Sequence, residues 1–76
     1  MNKKINKKSG SNGGVQSVEI GTGVLLAVMS GGGPMSLKSI AEATSLPPAK
    51  AHRYLVSLIR SGLVDQDAAT GKYDLG

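Results

Sequence analysis

The sequence has no cysteine, tryptophan or phenylalanine, one histidine, and only Tyr54 and Tyr73 as aromatics. Without thiols there is neither a disulfide framework nor a thiolate metal site, and a single imidazole does not complete a zinc site. The chain therefore reads as one for a reducing cytoplasm, with no metal and no cofactor. Long apolar runs are missing as well. The longest, Val24 to Met29, falls far short of the roughly 20 residues that a membrane-spanning helix needs. It also lies too far from the lysine-rich start, and lacks the small-residue cleavage pattern, for a secretory signal. With so few large apolar side chains, 76 residues allow one small domain with a modest core. Catalytic constellations are absent too: no nucleophile is matched to a base and carboxylate, and the glycines at 31–33 lack the strand and lysine of a phosphate-binding loop. An enzyme is not expected.

Acid is missing from one long stretch, and that absence is informative. The net charge of +4 is supplied entirely by Lys3, Lys4, Lys7 and Lys8; from Gly13 onward, five basic residues balance five acidic ones. Between Glu42 and Asp65 there is no acidic residue at all, so any positive field is focused there rather than spread over the chain. Residues 1–14, MNKKINKKSGSNGG, hold too little apolar surface to repay the entropy of ordering, and are expected to form a disordered basic arm.

The acid-free stretch lies within SLKSIAEATSLPPAKAHRYLVSLIRSG, Ser36 to Gly62. Leu37, Ile40, Ala41 and Thr44 repeat at helical spacing behind Ser36 as N-cap. Ala51, Leu55, Leu58, Ile59 and Gly62 repeat likewise, with Ala49, Lys50, Arg53, Ser57 and Arg60 on the opposite face. Thr44-Ser45-Leu46 is long enough only for a sharp turn, Pro47-Pro48 suits a helix start, and Gly62 a stop. The pattern is a helix-turn-helix, with small Ala41 and Ala51 where the helices cross. His52, between the apolar stripe and the basic face, is expected to be a half-buried packing residue.

Helices this short need a third element. From Ser17, a plausible cap, to Met29, the residues Val18, Leu25, Leu26 and Met29 form an apolar stripe expected to face the core, and Gly31-Gly32-Gly33-Pro34 ends the helix. Ile20, Val24 and Ala27 form a second strip, expected to be a dimer interface with another copy of the chain. After Gly62 the period becomes two: Leu63 to Asp67 and Lys72 to Leu75 read as a hairpin, closed by an Asp67 turn with Gly71 at positive φ. Leu63, Tyr73 and Leu75 are expected to lean back on the helices. The fold class is mainly α with a small β-hairpin: a winged helix-turn-helix over 15–76.

From Val15 to Gly76 the sequence closely resembles the N-terminal domain of the IclR family of bacterial transcription regulators. The resemblance rests on Val15-Gln16-Ser17, Gly33-Pro34 before Ser36-Leu37, Ile40-Ala41-Glu42, Leu46-Pro47, Ala51-His52-Arg53, Gly62-Leu63-Val64, and Thr70-Gly71-Lys72-Tyr73 before Leu75-Gly76. It implies sequence-specific binding of duplex DNA, with the helix from about Pro48 to Ser61 in the major groove and the wing at 63–75 alongside. It also implies a larger effector-binding domain, absent from this chain, through which any small molecule would act. Two positions depart from the family: Ala49 and Lys50 replace a Ser-Thr pair, so operator preference does not transfer, and Ile20-Gly21-Thr22 replaces a Glu-Arg-Ala run.

In this motif the front of the second helix meets base edges, which points to Pro48, Ala49, Lys50 and Arg53. Arg53 suits guanine or a phosphate, Lys50 either as a point charge, and Ala49 a thymine methyl. Ser57 and Arg60 share that face; Ser36, Ser45 and Lys72 are candidate backbone contacts. The expected partner is a palindromic operator bound by a homodimer. The competing reading is a winged-helix interaction or dimerisation module that binds no nucleic acid.

Overall fold

A computed structural model describes residues 13–76. The four arm lysines lie outside the described residues. Three helices, α1 (Gln16–Ser30), α2 (Leu37–Thr44) and α3 (Pro48–Arg60), precede two strands, β1 (Val64–Gln66) and β2 (Tyr73–Leu75). The strands pair antiparallel, with Val64 opposite Leu75, Asp65 opposite Asp74, and Gln66 opposite Tyr73.

The punctuation of the chain explains these boundaries. Ser36 caps α2 by accepting the Ser39 N–H at 3.1 Å. That helix ends on Ser45, whose backbone is left-handed at φ 58 and ψ 34. The Ser45 N–H then reaches the Glu42 carbonyl at 3.2 Å and the Leu46 N–H the Ala41 carbonyl at 3.0 Å, the paired bonds of a Schellman motif. Pro48 opens α3, where a missing N–H costs nothing. Its end repeats the device: Gly62 at φ 81 donates to Ile59, and Leu63 donates to Leu58, each at 3.0 Å. Glycine adopts that φ without the Cβ penalty of other residues. Helix α1 differs from expectation, since Ser17 does not cap it; Val15 holds the N-cap position with no side-chain bond.

The core gathers Val24 and Val28 from α1, Ile40 from α2, Leu55 from α3, Val64 from β1 and Tyr73 from β2. Each fully buried aliphatic side chain is worth about 1.5–3 kcal/mol, so five of them hold a small domain together. Ala41 and Ala51 are buried beside them, as their size at a helix crossing requires.

Helix α1 turns its faces largely opposite to the expectation, although Leu25 packs against the core as expected. Val24 is 0% exposed, whereas Val18 is 63% and Leu26 and Met29 are 52% exposed. Val24 therefore belongs to the core and is unavailable to a dimer interface; Ile20 and Ala27 flank it, half-buried. The cause is the partner. Tyr54 of α3 lays its ring on Gly21, where a Cβ would meet Cδ1 at 3.4 Å, and this contact turns Val24 and Val28 inward.

The wing meets the expectation at Tyr73 and departs from it at Leu63 and Leu75. Val64 and Tyr73 face in, while Leu63 and Leu75 stay about half exposed. Leu63 serves both the cap of α3, through its N–H, and the hairpin, where its carbonyl accepts the Gly76 N–H at 3.0 Å. One further bond pair joins wing and helices: Met35, between α1 and α2, and Tyr73 exchange N–H to carbonyl bonds of 2.8 Å each way.

Candidate nucleic-acid interface

Ala51 and Leu55 anchor α3 in the core, which fixes what its other side presents. Pro48, Ala49, Lys50, Arg53, Ser57 and Arg60 are all exposed. Lys50, Arg53, Ser57 and Arg60 follow one another at helical intervals within one outward strip about 80° wide. His52 is exposed too, not half-buried as the sequence suggested. His52, Ala49 and Val56 form a second line parallel to the first.

Beside the basic line lies an open cleft of about 320 Å³, lined by Ser17 of α1 and by Lys50, Arg53, Tyr54 and Ser57 of α3. Two of these residues are basic, three carry hydroxyls, and none is acidic. Ser17 and Tyr54 were not among the sequence-derived candidates. Nothing in their local pattern marks them, because they meet only through the packing of α1 on α3; the sole hint was a glycine, Gly21, at a helical interval from Ser17.

The remaining candidates are dispersed. Ser36 is committed to the α2 cap, with a further 3.1 Å bond to the Ser39 hydroxyl. Ser45 is exposed at the turn, and its left-handed backbone gives it a structural task of its own. Lys72 is exposed in the wing, where its N–H donates to the Thr70 hydroxyl at 3.2 Å. Its surroundings are acidic: Asp65 and Asp74 stand directly across the strands, a like-charge pair that weakens the ladder, and Asp67 closes the tip. The Asp67 carboxylate accepts the Thr70 hydroxyl at 2.8 Å and the Thr70 N–H at 2.9 Å. These bonds hold its pKa below the ordinary 3.8, the side-chain bond contributing most.

Among the described residues no cluster of His, Asp and Glu is placed to hold a metal ion, and no helix is long and apolar enough to cross a membrane. The family model for the IclR helix-turn-helix domain matches residues 17–68. The chain belongs to this family.

Domains of the IclR helix-turn-helix family are the DNA-binding parts of transcription regulators, which makes this a sequence-specific DNA-binding domain and not an enzyme. The chain is similar to the glycerol operon regulatory protein of Streptomyces coelicolor, 36% identical over 62 residues, covering 82% of this chain and 24% of that protein. Its fold superposes on the crystal structure of Pseudomonas aeruginosa HmgR with a TM-score of 0.79 at 45% identity, covering 82% of this chain and 26% of that one. The IclR family transcriptional regulator from Brucella abortus gives a TM-score of 0.78 at 26% identity, covering 95% of this chain and 27% of that one. The chain thus spans about a quarter of the length of the relatives it matches.

Proposed function

We propose that the domain docks α3 in the major groove of duplex DNA as the reading head of a bacterial transcription regulator acting in the cytoplasm. The observation that carries this is the outward line of α3: Lys50, Arg53, Ser57 and Arg60 stand together, uninterrupted by acid, on a helix held by Ala51 and Leu55. An α-helix about 10–12 Å across fills a major groove about 12 Å wide. At 100° per residue Arg53 lies about 200° from buried Ala51 and about 160° from buried Leu55, opposite the midpoint of the two, so it points most directly at the groove floor. It reads a guanine edge there, with Ala49 against a thymine methyl, while Arg60 binds backbone. Sites selected from a random duplex pool provide the test. Arg53→Ala should lose about 1–3 kcal/mol on the selected duplex and much less on a scrambled one. Equal losses on both sink the base-reading role, and no loss on either sinks the docking itself.

A homodimer on a palindromic site is the second part of the proposal. Val15, Val18, Leu26 and Met29 form an exposed apolar stripe on α1, on the side away from the core, and burying it needs a partner surface. Half-sites about one helical turn apart or less follow for two such heads. Sedimentation of the chain with and without the selected duplex tests the association.

A further inference from the structure

The cleft between the first turn of α1 and the flank of α3 assigns a role to a residue that the helix-turn-helix alone does not use. We propose that it seats a DNA backbone phosphate, held jointly by Ser17, Lys50 and Ser57. This rests on the docking described above.

Three observations converge. Lys50, Arg53 and the hydroxyl-bearing Ser17, Tyr54 and Ser57 line the cleft together with their own carbon surface, and no acidic residue is among them, so its polar groups suit a phosphate's oxygens. The angular order around α3 agrees. Lys50 and Ser57 lie at about 240–260° from Ala51, rotated past Arg53 toward Tyr54 at about 300°, the residue that packs on α1. Finally, a helix that fills the groove leaves no space beside it at groove depth. An element abutting its flank, as α1 does here, stands over the groove's wall, and that wall is the phosphate backbone. Lys50 and Ser57 on this flank, and Ser17 opposite them, therefore meet a phosphate, while Arg53 on the outermost line remains free to reach a base.

The test compares Ser17→Ala, Ser17→Asp and Lys50→Ala in the 76-residue chain, each measured on the selected and on a scrambled duplex at two salt concentrations. Ser17→Ala should weaken both duplexes by about 2- to 10-fold, the range of one net hydrogen bond. Ser17→Asp should weaken both by about tenfold or more, since it sets a negative charge against the phosphate. Asp in the first turn of a helix is favoured by the macrodipole, so thermal unfolding of this variant should occur at or above the parent temperature, which separates a lost contact from a lost fold. Lys50→Ala should lower the salt slope by about 0.9 on both duplexes. Adding Ser17→Ala to Lys50→Ala should cost less than it does alone, as two groups on one phosphate require. Losses confined to the selected duplex, or a folded Ser17→Asp that binds as the parent does, overturn the clamp and leave the docking intact. A parent chain that binds neither duplex overturns the docking and the clamp with it.

Discussion

Ser45→Gly tests the turn on which the helix pair depends, and its magnitude follows from the backbone. Ser45 is the one non-glycine residue of positive φ among those described, and its left-handed geometry costs an L-residue about 1–2 kcal/mol. Glycine removes that cost but brings a more flexible unfolded chain, worth about 0.4–1 kcal/mol in the opposite direction. The Schellman bonds at 3.0 and 3.2 Å are backbone to backbone and survive the change. The net expectation is a gain of about 0.5–1 kcal/mol, which in a domain of this size raises the melting temperature by about 2–8 °C. Calorimetry or thermal circular dichroism measures it, with affinity for selected and scrambled duplexes in parallel. Unchanged affinity alongside a higher melting temperature assigns Ser45 to the turn; a uniform loss on both duplexes makes its hydroxyl a backbone contact instead. A lower melting temperature refutes the strain argument outright, because it would mean that the hydroxyl stabilises the turn more than the left-handed backbone costs.

Other substitutions probe α1 and the wing. Gly23→Ala meets nothing within 4 Å and should stabilise the domain by about 0.8–1 kcal/mol through helix propensity, read as a rise in the urea midpoint at constant slope. Val24→Asp should unfold the chain, since it buries an unpaired carboxylate, whereas Leu26→Asp should leave the fold intact and reduce self-association; circular dichroism and sedimentation of the two variants discriminate, and the reverse pattern would restore the original orientation of α1. The wing has its own acid limb. A pKa lowered in the folded state means that the Asp67 bonds contribute above the unfolded value of 3.8 and are lost as the pH falls through the lower folded value. Amide exchange at Thr70 should therefore accelerate below about pH 4 beyond its intrinsic pH dependence, and Thr70→Val should shift the onset to higher pH.

Boundaries were legible in this sequence because each is made by a residue whose chemistry is local. Ser36 bonds within its own turn, Pro48 carries its own φ, and Gly62 takes a conformation that others avoid, so none of them depends on what packs nearby. The orientation of α1 was not legible for the converse reason. Val15, Val18, Leu26 and Met29 on one side rival Ile20, Val24, Ala27 and Val28 on the other, with Leu25 between them, so the helical period gives no direction. What decides is the fit of the Tyr54 ring on Gly21, a contact between distant parts of the chain. Leu63 was misread as an inward position because it looks like the start of an alternating run while its N–H is spent on the Leu58 carbonyl at the end of α3. At the DNA-facing surface, the residues of α3 were visible as one face of one helix. Ser17 was invisible, because its position opposite Lys50 exists only after α1 has docked.

The reciprocal bonds between Met35 and Tyr73 bear on how this domain is cut and how it assembles. They make the loop before α2 a third, one-residue rung of the hairpin, and Tyr73 is itself a core side chain, 3% exposed. The wing is thus the clasp that closes the first half of the chain onto the last. A fragment ending at Lys72 would forfeit the rung, a core ring and the partner of β1 together, so the shortest self-sufficient version of this domain must run through β2. During folding the clasp joins segments that are far apart along the chain. Its closure is then a late and slow event, while α2, its turn and α3 are stitched by neighbours and form early.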